Sequence, residues 1–311
     1  ISDSVRGFNK ASILNHASAE SNWSGSPYRL SGVGHGKIGV GYYYITGFSG
    51  DNYVSWVWKA GGASHQYNID GVGYGHASIA GVDSGTITPT GISVNTTSKF
   101  SIITYSGNNA STGSYEHGLG VTPKLIMTKV RGTATNGDWV LWHDDLADNE
   151  NLFPNQDNAA STPSYGHIND PTSTLINMTK GSGNQTNASS QDYVTYAWAE
   201  VEGYSKIDKY GGNENAQGAF VYTGFRPVFL LVKDEGSAND WMLFDRARSP
   251  INPIQNYCKI NDDASDVEDN ANAEIEFLCN GFKIKGTGTG VNKNGNTYIY
   301  MAFASSPYKY T

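Results

Sequence analysis

The chain has 311 residues, enough for two or three domains that each bury a core. Its 21 Lys and Arg against 29 Asp and Glu leave a net charge of −8, which argues against nucleic acid or an anionic membrane as partner. Charged residues make up only 16% while Gly fills 37 positions, so the exterior must be built from Asn, Ser, Thr, Tyr and Gly, the palette of extracellular β-proteins rather than cytosolic helical enzymes. No segment approaches the roughly 20 apolar residues that span a bilayer, and the first 20 positions carry no basic-then-apolar export signal.

Helical periodicity is nearly absent; short β-branched and aromatic runs alternate with Gly, Asn, Ser and Asp clusters, the pattern of an antiparallel sandwich or barrel. Residues 1–60 read as an incomplete first repeat. It ends in the aromatic strand Asp51–Trp58, but its visible start, Asp3–Gly7, sits where the later repeats have already passed their Trp strand, so the chain is expected to open inside a unit. Residues 61–98 form a Gly/Ser/Thr-rich connector. At about 38 residues it is too long to be slack, and it is expected to lie along a neighbouring surface or pair with it.

Residues 99–202 are the second repeat, with strands expected near 99–106, 113–117, 123–130, 138–144, 174–179 and 192–201. Residues 203–311 are the third, with strands expected near 204–210, 218–222, 227–233, 240–245, 257–260, 274–278, 281–285 and 296–304. The landmarks of one return in the other: Tyr193 and Tyr298 lie 105 positions apart, and Asp138-Trp139 returns as Asp240-Trp241. Each unit is expected to be a two-sheet antiparallel β-sandwich or jelly roll, unless the two fuse into one larger sandwich. The join at Glu202-Gly203 has almost no linker, so the two units should be rigidly coupled.

In the last strand Ile299, Met301 and Phe303 point one way and Tyr298, Tyr300 and Ala302 the other; both sets are apolar or aromatic, so the strand is expected to be central and covered on both faces. Trp139 and Trp241, at matching positions, should anchor the cores, each burying about 200 Å² and needing one acceptor for its indole N–H. Trp56, Trp58, Trp198 and Phe303 join them as structural core.

Catalytic chemistry finds little footing. His16, His35, His65, His76, His117, His143 and His167 show no short paired spacing of a zinc site. The most pointed cluster is Trp142, His143, Asp144 and Asp145, a candidate ligand site for a glycan or an ion; the third repeat has Phe244-Asp245-Arg246-Ala247 there, so a solvated loop is the weightier reading. The acidic stretch Asn261–Asp269 offers oxygen ligands to calcium without the spacing or Gly of an EF-hand loop. Gly34-His35-Gly36 and Gly286–Gly290 lead into no Lys-Ser or Lys-Thr helix and read as turns. Cys258 and Cys279 read as two isolated thiols rather than a disulfide framework.

The strings Trp56–Gly62, Ser101–Asn108, His117–Lys124, Tyr222–Pro227 and Asn296–Phe303 together resemble a repeat domain of virion proteins of marine tailed phages, cyanophages especially, over nearly the whole chain. The resemblance implies a β-sandwich of concanavalin-like lectin or jelly-roll type in a fibre, knob or other appendage on the virion surface. It implies partnership with other virion proteins and with copies of itself, with a host glycan as an added ligand, and it carries over no catalytic residue and no cofactor. The incomplete first repeat departs from that pattern. The function expected is therefore a non-enzymatic structural protein of the virion exterior, with a lectin-like adhesin and a polysaccharide depolymerase as rivals; the depolymerase needs a carboxylate pair, for which Asp144 and Asp145 are the candidates.

Overall fold

The computed structural model describes residues 1–7, 10–22, 30–34, 37–40, 54–62, 65–132, 137–264 and 266–305. They form an all-β protein of several sheets. In chain order the strands are β1 (Lys10–Ala11), β2 (Ser21–Asn22), β3 (Leu30–Gly34), β4 (Lys37–Val40), β5 (Tyr67–Ile69), β6 (Val72–Tyr74), β7 (Gly91–Asn95), β8 (Phe100–Ser106), β9 (Thr112–Glu116), β10 (Leu125–Val130) and β11 (Val140–His143). They continue with β12 (His167–Asn169), β13 (Leu175–Thr179), β14 (Asp192–Trp198), β15 (Ser205–Gly211), β16 (Phe220–Tyr222), β17 (Phe229–Asp234), β18 (Met242–Asp245), β19 (Tyr257–Lys259), β20 (Ile275–Leu278), β21 (Gly281–Ile284) and β22 (Thr297–Phe303). Two single-turn helices, α1 (Ala77–Ala80) and α2 (Thr289–Asn292), lie between them.

Four sheets stack as layers. A seven-stranded sheet ordered β11-β10-β14-β8-β7-β5-β6 faces a three-stranded sheet β12-β13-β9, and a five-stranded sheet β15-β22-β17-β18-β19 faces a three-stranded sheet β16-β21-β20. The outer cores lie within these pairs. Ile103, Tyr105, Tyr193 and Ala197 meet Tyr115, Ile176 and Met178 in the first, while Tyr298, Tyr300 and Ala302 meet Phe277, Phe282 and Ile284 in the second. The middle core joins the two large sheets back to back: Phe100, Ile102, Val194, Tyr196 and Trp198 pack against Phe229, Leu231, Ile299, Met301 and Phe303.

This stacking follows from period-2 alternation in β14 and β22. Each is flanked on both sides, β14 by β8 and β10, β22 by β15 and β17, so neither face nor edge meets water and both faces must be apolar. The coupling of the sheets is set by the turn after β14, where Gly203 takes a φ of 78° and Ser205 closes it on Val201 with bonds of 2.9 Å backbone to backbone and 2.8 Å to its Oγ.

The stretch 61–98 is more than a connector. Its β7 pairs antiparallel with β8 along Gly91–Asn95, and β5 pairs parallel with β7, so the large sheet reaches upstream of residue 99. The aromatic strand expected at 51–58 is corrected in part: residues 51–53 lie outside the described residues, and 54–58 take part in no ladder. A strand is defined by its neighbours, and Val54–Trp58 has none of the kind that flank β14 and β22 among the described residues. Trp56 and Trp58 nevertheless pack against the middle core, Trp58 edge-on to Trp198 at 6.0 Å, to Phe229 at 5.6 Å and to Phe303 at 5.4 Å.

Candidate functional site

The cluster Trp142, His143, Asp144 and Asp145 lies at the end of β11 and in the turn after it. Strand alternation splits it. Trp142 turns into the outer core and is 7% exposed, so its ring offers no face to a ligand. His143 points the other way and is fully buried; its Nδ1 accepts the Asp145 backbone N–H at 3.1 Å, and burial pulls its pKa down to about 4. Asp144 pairs with Lys124, while Asp145 lies 3.7 Å from Lys209 and is held above its ordinary pKa by burial and by Asp208. The two carboxylates are thus engaged by separate lysines at the junction of the large sheets, and the grouping acts as a capped turn. At the position equivalent to His143, Asp245 caps its turn in the same way, accepting the N–H groups of Ala247 at 2.9 Å and Arg248 at 2.8 Å.

The contacts that do recur centre on Trp139 and Trp241, and their acceptors are groups that the sequence left unmarked. Trp139 Nε1 donates to the Ile13 carbonyl at 2.9 Å, and Trp241 Nε1 to the Phe153 carbonyl at 3.2 Å. Each indole thus reaches back to a segment two residues before an Asn, namely Asn15 and Asn155. Glu20 N–H donates to the Arg131 carbonyl at 2.8 Å, and Ala160 N–H to the Glu235 carbonyl at 2.7 Å, so a backbone bond also repeats beside each Trp. Lys129 donates to the Ala17 carbonyl at 3.0 Å, whereas Lys233, its counterpart, stays within its own hairpin and donates to the Ser237 carbonyl at 3.0 Å; burial lowers the pKa of both ammonium groups to about 8. The backbone N–H of each Trp is met by an Asn side chain, Asn155 for Trp139 at 2.9 Å and Asn261 for Trp241 at 2.8 Å.

The amino-terminal segment takes the same form as the turn after β18. Asp3 accepts the N–H groups of Val5 at 3.0 Å and Arg6 at 2.9 Å and pairs with the Arg6 guanidinium, as Asp245 does with Arg248. Arg6, whose side chain is fully buried, then reaches the Tyr196 hydroxyl at 2.7 Å, while Arg248 lies 5.3 Å over the Trp56 ring. The signal for this was present as Asp-x-x-Arg at 3–6 and 245–248, a spacing too short to stand out without the fold.

Elsewhere the sequence candidates disperse. Among the described residues no group of three His, Cys, Asp or Glu side chains is placed to hold a metal. In the acidic stretch Asp262 caps Ala264, Asp266 pairs with Arg248 at 2.6 Å, and residue 265 lies outside the described residues. Residues 35 and 36 of the Gly34-His35-Gly36 string lie outside them too. Cys258 and Cys279 are free thiols, one in β19 and one in the turn between β20 and β21. On the outer surface the edge strand β16 turns Phe220 and Tyr222 to solvent, 47% and 65% exposed.

No protein of curated function and no solved structure matches the chain. A family model described as a domain of unknown function, DUF7483, matches residues 1–307, and the chain belongs to that family.

Proposed function

We propose that the protein is a non-enzymatic structural component of a tailed-phage particle exterior, built of β-sandwich units in tandem that dock on one another in series. The observation that carries this reading is the repeated indole-to-carbonyl contact, Trp139 to Ile13 and Trp241 to Phe153, with a backbone bond beside each. A docking rule used twice in one chain is suited to assembly rather than to turnover. The matched tyrosine pairs support tandem units: Tyr105 stacks on Tyr193 at 4.8 Å and Tyr210 on Tyr298 at 5.1 Å, and Tyr193 and Tyr298 each accept a backbone N–H at 2.8 Å. The jelly-roll or lectin-like variant of the sandwich is part of the same proposal. Surface biotinylation of purified particles followed by mass spectrometry tests it; the expected result is labelled peptides of this chain in intact particles, and recovery only from the soluble lysate would overturn it.

A second reading, glycan binding, is favoured by Phe220 and Tyr222, which alternate outward on one edge strand and present two rings of the kind on which sugar faces stack. An array of host oligosaccharides probed with the wild type and with Tyr222→Ala decides it: selective binding lost in the variant supports an adhesin, and no binding removes the reading.

A further inference from the structure

Most end strands of the four sheets are closed by other parts of the chain. Leu152 bridges to β11, Val267 to β19 and Ile254 to β20, and the Asn151 side chain takes both main-chain groups of Ile168 in β12. β15 is guarded instead: Lys206 and Asp208 pair at 3.0 Å along it, and charged side chains on an end strand deter further pairing. β16 ends its sheet with neither device among the described residues.

The contrast with β9 shows what is open. Tyr115 opposes Ile176 as Val221 opposes Phe282, so Ser114 and Glu116 of β9 match Phe220 and Tyr222 of β16. Along β9 runs Ser84–Ile87: the Ile87 N–H donates to the Ser114 carbonyl at 2.9 Å, the Ser114 N–H to Thr86 Oγ1 at 2.8 Å, and the Ser84 N–H to the Glu116 carboxylate at 3.2 Å. No such segment precedes β15, which follows directly on the turn at Gly203. The vacancy at β16 is one of main-chain groups. Ile284 donates to the Ala219 carbonyl at 3.0 Å and Thr223 to the Asn280 carbonyl at 3.0 Å, so the alternating ladder binds Ala219, Val221 and Thr223 to β21 and turns the N–H and C=O of Phe220 and Tyr222 away from it.

We propose that β16 is a self-association edge, on which a second copy of this chain adds its own β16 antiparallel about a two-fold axis through Val221. The pattern is self-complementary: the two outward-bonding residues stand one on each side of Val221, so Phe220 of each copy exchanges both main-chain bonds with Tyr222 of the other, and every outward group is paired. The rings of Phe220 and Tyr222, 47% and 65% exposed, then form two cross-strand aromatic pairs. Charge favours the same occupant. The chain carries a net charge of −8, yet residues 215–225 hold no charged side chain, so like copies meet there without repulsion. Two three-stranded sheets thereby become one of six strands. The edge is short, which places the contact in the weak class, with a Kd of about 0.1 mM. It needs neither a virion nor a sugar, so its outcome is separate from both readings above.

Sedimentation equilibrium of the purified protein from about 5 µM to about 1 mM tests it, and the mass is expected to rise from that of one chain towards that of two. Amide exchange at Phe220 and Tyr222 should slow about fivefold at the top of that range while Val221, already bonded to β21, is unchanged. The double variant Phe220→Lys with Tyr222→Lys should stay monomeric. Phe220→Glu with Tyr222→Lys should associate, because the register sets position 220 of one copy against position 222 of the other and opposite charges meet. Both variants alter the same two exposed positions, and matching thermal midpoints check that each folds. A single-chain mass throughout, equal association of the two double variants, or a dimer that leaves exchange at 220 and 222 unchanged would each overturn the proposal.

Discussion

Trp139 and Trp241 are 0% and 1% exposed, and each spends its one polar atom on a carbonyl outside its own sheet. Replacing either by Phe keeps most of the apolar bulk but strands that carbonyl, which costs about 1–3 kcal/mol. We expect Trp139→Phe and Trp241→Phe to lower the urea midpoint by matching amounts; a change below about 0.5 kcal/mol in either would show that the indole bond carries no weight. The buried histidines contribute to the acid limit. His117 and His143 each accept a backbone N–H on Nδ1, from Leu119 at 3.2 Å and Asp145 at 3.1 Å, and burial lowers both pKa values to about 4. The unfolded chain, titrating near 6.5, binds these protons first, so stability is full above about pH 6.5 and falls as pH drops toward 4, by no more than about 3 kcal/mol per histidine. Urea denaturation at pH 7 and pH 4.5 checks this. His143→Gln should shrink the difference, and an unaltered pH slope would remove His143 from the account.

At the scale of the element, β14 and β22 hold the molecule together because each serves two cores at once. Ala197 and Ala302 are wholly buried, and an aspartate at either would place an unpaired carboxylate between sheets. We expect Ala302→Asp to cost more than about 4 kcal/mol or to prevent folding, while Val57→Asp at the equivalent position of the unflanked segment changes stability by less than about 0.5 kcal/mol. Thermal denaturation of the two variants compares them directly; equal losses would mean that the 54–58 segment is as deeply structured as β22. These strands were readable from sequence because β-branched and aromatic residues alternate over seven positions without a Gly. The short strands β5, β6, β7 and β12 were not, since three- to five-residue runs such as Val72-Gly73-Tyr74 and Gly91–Asn95 carry too little pattern to separate from loop.

For the whole molecule, the middle core makes the two large sheets one thermodynamic body. Phe229, Leu231, Met301 and Phe303 from one sheet share it with Phe100, Ile102, Tyr196 and Trp198 from the other, so neither sheet can unfold without exposing its partner's face. Calorimetry is expected to show one transition, and Trp241→Ala should shift it as a whole; two separable transitions would show that the layers are independent. The same geometry disposed of the cluster at 142–145 as a single surface: its four residues are consecutive in sequence, but alternation sends Trp142 to an outer core and His143 to the middle one.

Sequence by itself determined the all-β class, most strand positions in 99–311 and the double-faced character of the terminal strands, because these depend on local alternation and turn residues. Only the tertiary structure decided that the large sheets pack back to back, that residues 67–95 extend one of them, and that each core Trp seeks a carbonyl of the preceding segment. Those outcomes depend on which apolar face meets which. A backbone carbonyl such as that of Ile13 or Phe153 carries no side-chain signature, so its role becomes visible only when the indole is seen beside it.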